Sequence, residues 1–135
     1  FHQLGIENPK VAVAAAVEYV NPKMEATVHA SEIKKMNVEG EIKGCVVDGP
    51  LAIDIAFNKD AAVHKGIKGE VAGDCDIVLM PDIEAGNMVY KALNFLGGAN
   101  SASIITGASV PIVLTSRSDD DKTKLLSIAL ACLMV

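Results

Sequence analysis

The chain has 135 residues, half of them apolar, and a net charge of −5; it can bury one core of ordinary domain size, and it lacks the clustered Lys and Arg that a nucleic-acid surface needs. Its longest apolar runs, 77 to 80 and 110 to 114, are far too short to cross a bilayer, and no basic segment leads into an apolar one as in a secretory leader. A soluble, intracellular, cytoplasmic chain with no nucleic-acid or membrane partner is therefore expected.

Cys45, Cys75 and Cys132 are odd in number, lie within apolar runs and form no CxxC pair, so reduced, buried thiols are expected. The chain opens on Phe1 and a helix-like FHQLGI, as a trimmed or partial protein would.

After Pro9, the Val/Ala run 11 to 17 predicts a strand buried on both faces. Residues 27 to 36 space Ala, Ile and Met among charges, which predicts a surface helix capped by Asn21-Pro22 or Thr27. A turn over 40 to 44 precedes a short strand, 45 to 47, that ends in the turn Asp48-Gly49-Pro50. Residues 51 to 57 and 60 to 65 read as helical and stop at Gly66.

Residues 76 to 80 predict a second apolar strand, closed by Pro81. A helix over 84 to 95 places Met88, Ala92, Leu93 and Leu96 on one side and stops at Gly97-Gly98. Two further strands, 103 to 106 and 110 to 115, flank the turn at 107 to 109, and a last helix from Ser118 carries Leu125, Ile128, Ala129 and Cys132 as its apolar stripe. Apolar strands alternating with helices predict one α/β domain: a layered, mostly parallel sheet flanked by helices.

In such sheets ligands bind outside the carboxyl ends of the strands, which singles out DGP (48 to 50), PDIEAGN (81 to 87) and TSRSDDD (115 to 121). The third contains the only arginine, Arg117. Ser118 with Asp121 matches a capping box, and acids suit a helix N-terminus. A cation there does not, unless it recruits an anion, which a guanidinium can grip with two parallel hydrogen bonds beside the hydroxyls of Thr115, Ser116 and Ser118. The plain alternative is a surface ion pair between Arg117 and Asp119, Asp120 or Asp121. His2, His29 and His64 stand alone, so no metal site is expected, and no GxGxxG opens a helix.

The blocks GPLAIDIA (49 to 56), AAVHKGI (61 to 67), VAGDCDIVLMPDIEAGNMVYKAL (71 to 93) and VPIVLTSRSDDDKTKLLSIALA (110 to 131) resemble the phosphate acetyl/butyryltransferase family of CoA-dependent acyltransferases, in its butyryl branch, from about Gly5 to the end. The resemblance implies a two-domain cleft enzyme of the isocitrate/isopropylmalate dehydrogenase-like fold, of which this chain is the C-terminal half, the N-terminal half being absent. It implies transfer of a butyryl or other short acyl group between phosphate and CoA, with CoA a substrate rather than a resident cofactor, no metal, no covalent intermediate, and a homodimer or larger homo-oligomer. Alternatives are the acetyl branch or a non-catalytic oligomerising or regulatory domain.

By the same resemblance Ser116 and Arg117 match a Ser-Arg pair on the CoA and phosphate side of the site, and Asp48, Gly49, Pro50, Gly86 and Asn87 are candidate CoA- or substrate-binding residues. The acetyl branch places a catalytic Asp seven residues after the Ser, which here is Thr123; the butyryl branch keeps the acid at Asp119, the candidate base, with Asp120 and Asp121 capping or solvated. The family's other substrate-binding arginines belong to its N-terminal half, and this chain has no second Arg, so alone it is expected to fold yet lack activity.

Overall fold

A Val-Ala-Val-Ala strand can sit between two layers because its successive side chains point to opposite faces, and the computed structural model, which describes Phe1–Val135, uses it that way. Strand β1 (Lys10–Ala14) is the middle of a three-stranded parallel sheet, flanked by β2 (Val46–Leu51) and β3 (Ile77–Leu79). Ala12 joins a core with Leu51, Ile55, Ala62 and Val71, whereas Val13 joins another with Ala30 and Val47. The first core belongs to helices α2 (Ile53–Phe57) and α3 (Lys59–His64), the second to α1 (Glu25–Val38). An α/β sheet flanked by helices is thus present, with all three strands parallel.

The chain divides into two compact units, Phe1–His2 with Ile6–Gly86, and Gln3–Gly5 with Asn87–Val135. Helix α4 (Ile83–Phe95) gives its first turn to the first unit and the rest to the second, which also holds α5 (Asp121–Leu133).

The DGP segment is not a turn; it lies inside β2. The register between β1 and β2 slips there, from Ala12 opposite Asp48 to Ala14 opposite Leu51, so β2 accommodates one extra residue. Proline has no N–H for the ladder, which makes such an irregularity its natural place in a sheet; the Gly49–Pro50 peptide is cis. Gly49 is needed because a Cβ there would lie 2.8 Å from Val13 Cβ and 2.9 Å from the Val13 carbonyl oxygen, which cannot move without the central strand.

Helix caps also differ from expectation. Met24 precedes α1 without a side-chain cap, and Thr27, inside the first turn, is buried with its hydroxyl donating to the Met24 carbonyl and accepting the Asn21 N–H. Asn58 caps α3 through the N–H groups of Asp60 and Ala61. Asp120, not Ser118, caps α5, accepting the Thr123 N–H at 2.7 Å.

In the second unit the two expected strands reduce to one antiparallel bridge, Ile105 with Ile112. The Ser103 N–H, which a strand would spend on a neighbour, instead goes to the Ser127 hydroxyl on α5. That contact buries Thr123 and Ser127 and leaves the expected apolar stripe outside, with Leu125, Ile128 and Cys132 exposed. Met88, Leu93 and Leu96, the apolar side of α4, are exposed as well. Cys45 and Cys75 are half-buried rather than buried, and all three thiols are free.

Two outcomes follow from this packing. Gly49→Ala forces overlap with a central strand and is expected to lower stability by about 1–3 kcal/mol, read as a lower urea midpoint with unchanged slope. Hydrogen bonds from the Thr123 N–H and hydroxyl hold the Asp120 carboxyl below its ordinary value of 3.8. Its contribution to stability is therefore complete above that value and lost as pH falls through the lowered folded one. Asn is as good a cap without the charge, so Asp120→Asn should show a smaller fall in thermal midpoint between pH 6 and pH 3 than the parent; equal falls would contradict this.

Candidate active site

Arg117 stands at the tip of a tight turn in the second unit. The Asp119 N–H donates to the Ser116 carbonyl at 3.1 Å, and Asp119 Oδ2 accepts the Ser116 N–H at 2.7 Å, so the two ends of the turn are tied in both directions. The Ser116 and Ser118 hydroxyl oxygens lie 3.0 Å apart across it. Asp119 Oδ1 accepts a further bond, 3.1 Å long, from the Tyr90 hydroxyl in α4.

The surface ion pair considered for Arg117 does not form. Its side chain is exposed and takes part in none of the ion pairs of the structure. Each aspartate has another partner: Asp119 holds the turn, Asp120 caps α5 and Asp121 pairs with Lys124 at 3.2 Å. The guanidinium also stands three residues before the cap of α5 rather than on the helix N-terminus. A cation left free beside two hydroxyls can accept an oxyanion without first giving up a partner.

Asp119 and Thr123 do not share a helical face, because α5 begins only at Asp121. They nevertheless line one cavity of about 250 Å³, together with Ser118, Asp120 and, from α4, Asn94 and Phe95. Asp119 and Thr123 therefore border the same space.

Of the remaining candidates, Asp48, Gly49, Pro50 and Gly86 belong to the first unit and Asn87 to the second. Asp48 is half-buried, pairing with Lys34 at 2.6 Å and accepting the Gly49 N–H at 2.8 Å, and Gly49 and Pro50 are buried in the sheet. Gly86 closes the first turn of α4 and Asn87 is exposed in the next. Asp82 caps that helix, its Oδ1 accepting the Ala85 N–H at 2.7 Å. The strand order β2-β1-β3 reverses direction at β1, so the crevice beyond the carboxyl ends of β1 and β3, where Pro81 and Asp82 sit, is the ligand position expected of such a sheet. Beside α1, Val13, Ile33, Met36, Leu79 and Met80 line an apolar cavity of about 380 Å³ that His29 and Glu32 also border. No three His, Cys, Asp or Glu side chains converge as a metal site would require, and no helix is long and apolar enough to cross a membrane.

Tyr90 was not legible as a site residue. It lies 29 positions from Asp119, and nothing in its local pattern separates it from any other tyrosine on an amphipathic helix.

A family model described as "Phosphate acetyl/butaryl transferase" matches residues 1–132. The chain is 56% identical over 133 residues to the phosphate butyryltransferase of Clostridium acetobutylicum, covering 98% of this chain and 44% of that protein. It is equally, 56%, identical over 128 residues to the phosphate acetyltransferase of Thermotoga maritima, covering 95% and 44%. The crystal structure of a branched-chain phosphotransacylase from Enterococcus faecalis V583 superposes with a TM-score of 0.88 at 39% identity, over 98% of this chain and 47% of that one. The chain thus spans less than half the length of these relatives. Since the match runs through both the SRSDDD turn and the PDIEAGN helix start and covers nearly every residue, the chain belongs to the phosphate acetyl/butyryl transferase family.

Proposed function

We propose that this chain is the C-terminal half of an acyltransferase that moves a butyryl or other short acyl group between phosphate and CoA: butanoyl-CoA + phosphate = butanoyl phosphate + CoA. The observation that carries the reading is the exposed, unpaired Arg117 on a turn tied at both ends, within a family named for this reaction.

In this reading CoA's thiol, with an ordinary pKa near 8.5, is deprotonated as its sulfur attacks the acyl carbonyl. The C–S bond forms, negative charge collects on the carbonyl oxygen, and the C–O bond to phosphate then breaks as the carbonyl re-forms. Arg117 and the Ser116 hydroxyl stabilise the charge on the phosphoryl and carbonyl oxygens, a role in which preorganised donors contribute most. Asp119 takes the thiol proton, since each of its oxygens keeps a lone pair beyond the bonds from Ser116 and Tyr90. Asn87, exposed after the first turn of α4, serves the CoA side.

A doubly charged phosphoryl group needs more than one guanidinium, and the further arginines would come from an N-terminal domain facing this one across a cleft, as in the isocitrate/isopropylmalate dehydrogenase-like fold. The same reading takes the protein as a cytoplasmic homodimer or larger homo-oligomer. Leu93, Leu96, Leu125, Ile128 and Leu133 in the second unit, all more than half exposed, are apolar surface of the kind that subunit contacts cover.

The acetyl branch is a second reading, favoured by the 56% identity to the Thermotoga maritima phosphate acetyltransferase, equal to that with the Clostridium butyryltransferase. Initial rates of the two-domain protein on acetyl phosphate and on butyryl phosphate decide between them; a higher kcat/KM on butyryl phosphate is expected.

Arg117→Ala should lower kcat/KM for phosphate release from butyryl phosphate plus CoA by about 10²-fold or more. Arg117→Lys should recover only part of it, because an ammonium lacks the planar fork. An unchanged rate in the Ala variant would remove Arg117 from the mechanism.

A further inference from the structure

The turn that carries Arg117 is closed almost entirely on itself. Its bonds between Ser116 and Asp119, and between the hydroxyls of Ser116 and Ser118, set its shape but not the direction in which it points. One hydrogen bond leaves residues 116–119 for a regular element, from the Tyr90 hydroxyl to Asp119 Oδ1.

We propose that Tyr90 is a positioning residue for acyl transfer: by donating to Asp119 it references the Ser116–Asp119 turn to helix α4 and so aims the Arg117 guanidinium. The proposal rests on the acyl-transfer reading for its kinetic consequence, though not for its structural one.

The surroundings of Tyr90 suit this task. It lies in the middle of a 13-residue helix, Ile83–Phe95, so its backbone is held by the helical ladder. Its own carbonyl accepts a 2.8 Å bond from Asn94 Nδ2, and the Asn94 Oδ1 accepts the Ser101 hydroxyl, so a side-chain network continues along the same helix. The ring is half-buried, which restricts its rotation about the Cβ bond. Burial chiefly, with Asp119 adding to it, holds the phenol above its ordinary pKa, so the proton it donates stays in place at neutral pH. A charge-assisted bond of this kind is stronger than a neutral one, and it acts on the one residue that closes the turn from both ends.

The Asp119 carboxylate then has two assignments that do not compete. Oδ2 is committed to the Ser116 backbone and Oδ1 to Tyr90, and each oxygen keeps a further lone pair. Losing Tyr90's proton would free the carboxylate to rotate and would loosen the Ser116 N–H bond with it.

The test uses Tyr90→Phe, which removes only the hydroxyl. In the two-domain protein, kcat with butyryl phosphate and CoA should fall about tenfold, in line with the loss of one hydrogen bond to a charged group, while KM for CoA moves less than about twofold. In an Arg117→Ala background the same change should cost clearly less than it does in the parent, since two residues acting through one group are not additive. Amide hydrogen exchange should quicken at Ser116 and Asp119 in this chain whether or not it catalyses anything. If Tyr90→Phe fails to fold, 4-fluorophenylalanine at position 90, which fills the oxygen's volume without a proton to donate, repeats the comparison. Unchanged exchange at both amides, an unchanged kcat despite faster exchange, or a rate loss that persists undiminished without Arg117 would each overturn the proposal. A parent protein without acyl-transfer activity would instead reject the acyl-transfer reading, and the exchange comparison would still judge the Tyr90 contact.

Discussion

The first unit depends on one strand buried on both faces. Ala12 and Val13 point in opposite directions and are almost fully inaccessible, so each layer of helices packs on a side chain small enough to bring it close to the backbone of β1. The neighbouring strand obeys the same constraint. Gly49 comes so near the Val13 carbonyl that no side chain fits, and the extra residue in β2 falls where Pro50 cannot donate. Because α1 covers one face and α2 with α3 the other, the parallel sheet reverses its winding at β1, and the open crevice beyond its carboxyl end follows from that reversal.

The second unit is organised by charge rather than by a sheet. Three aspartates in succession would normally read as one acidic patch, yet each carboxylate has a separate geometric task, in the turn, at the helix cap and against Lys124. Their separation explains how the guanidinium can remain unpaired two residues away from the first of them. An exposed pair would be worth under about 1 kcal/mol, less than a backbone cap or a doubly bonded turn offers the same carboxylate. Arg117 is left free beside three carboxylates that each hold another donor.

Local pattern revealed most of the elements and little of their ends. The Val/Ala strand, the helices around 27–36 and 84–95 and the glycine stops were all visible, because apolar spacing and turn chemistry act over a few residues. The DGP segment misled because Asp-Gly-Pro usually makes a turn, and only the approach of Val13 from another strand shows why it runs on as β2. Ser118 misled as a cap because Asp120, two residues later, is an equally good cap and the turn already uses Ser118. The strands at 103–106 and 110–115 reduce to the Ile105–Ile112 bridge, and at Ser103 a tertiary contact intervenes, since Ser127 takes its N–H. The Tyr90–Asp119 bond spans 29 residues and has no periodic signature at all.

What a lone arginine can do here is limited by the charge around it. Between Thr115 and Lys124 the cations Arg117, Lys122 and Lys124 face the anions Asp119, Asp120 and Asp121, so the segment is neutral although the whole chain carries −5. Asp121 is paired with Lys124 and Asp120 sits on the positive end of α5, which confines their fields, and at physiological salt charges beyond about 8 Å are largely screened. An oxyanion at the tip of the turn would have the guanidinium and the two serine hydroxyls as donors, with Asp119 the one carboxylate inside the turn. That arrangement can orient one phosphoryl face, and the second charge of a dianion would call on a further cation. The same reasoning places the demand for precise aim on the turn itself: with a single guanidinium in the chain, no second planar fork shares the task.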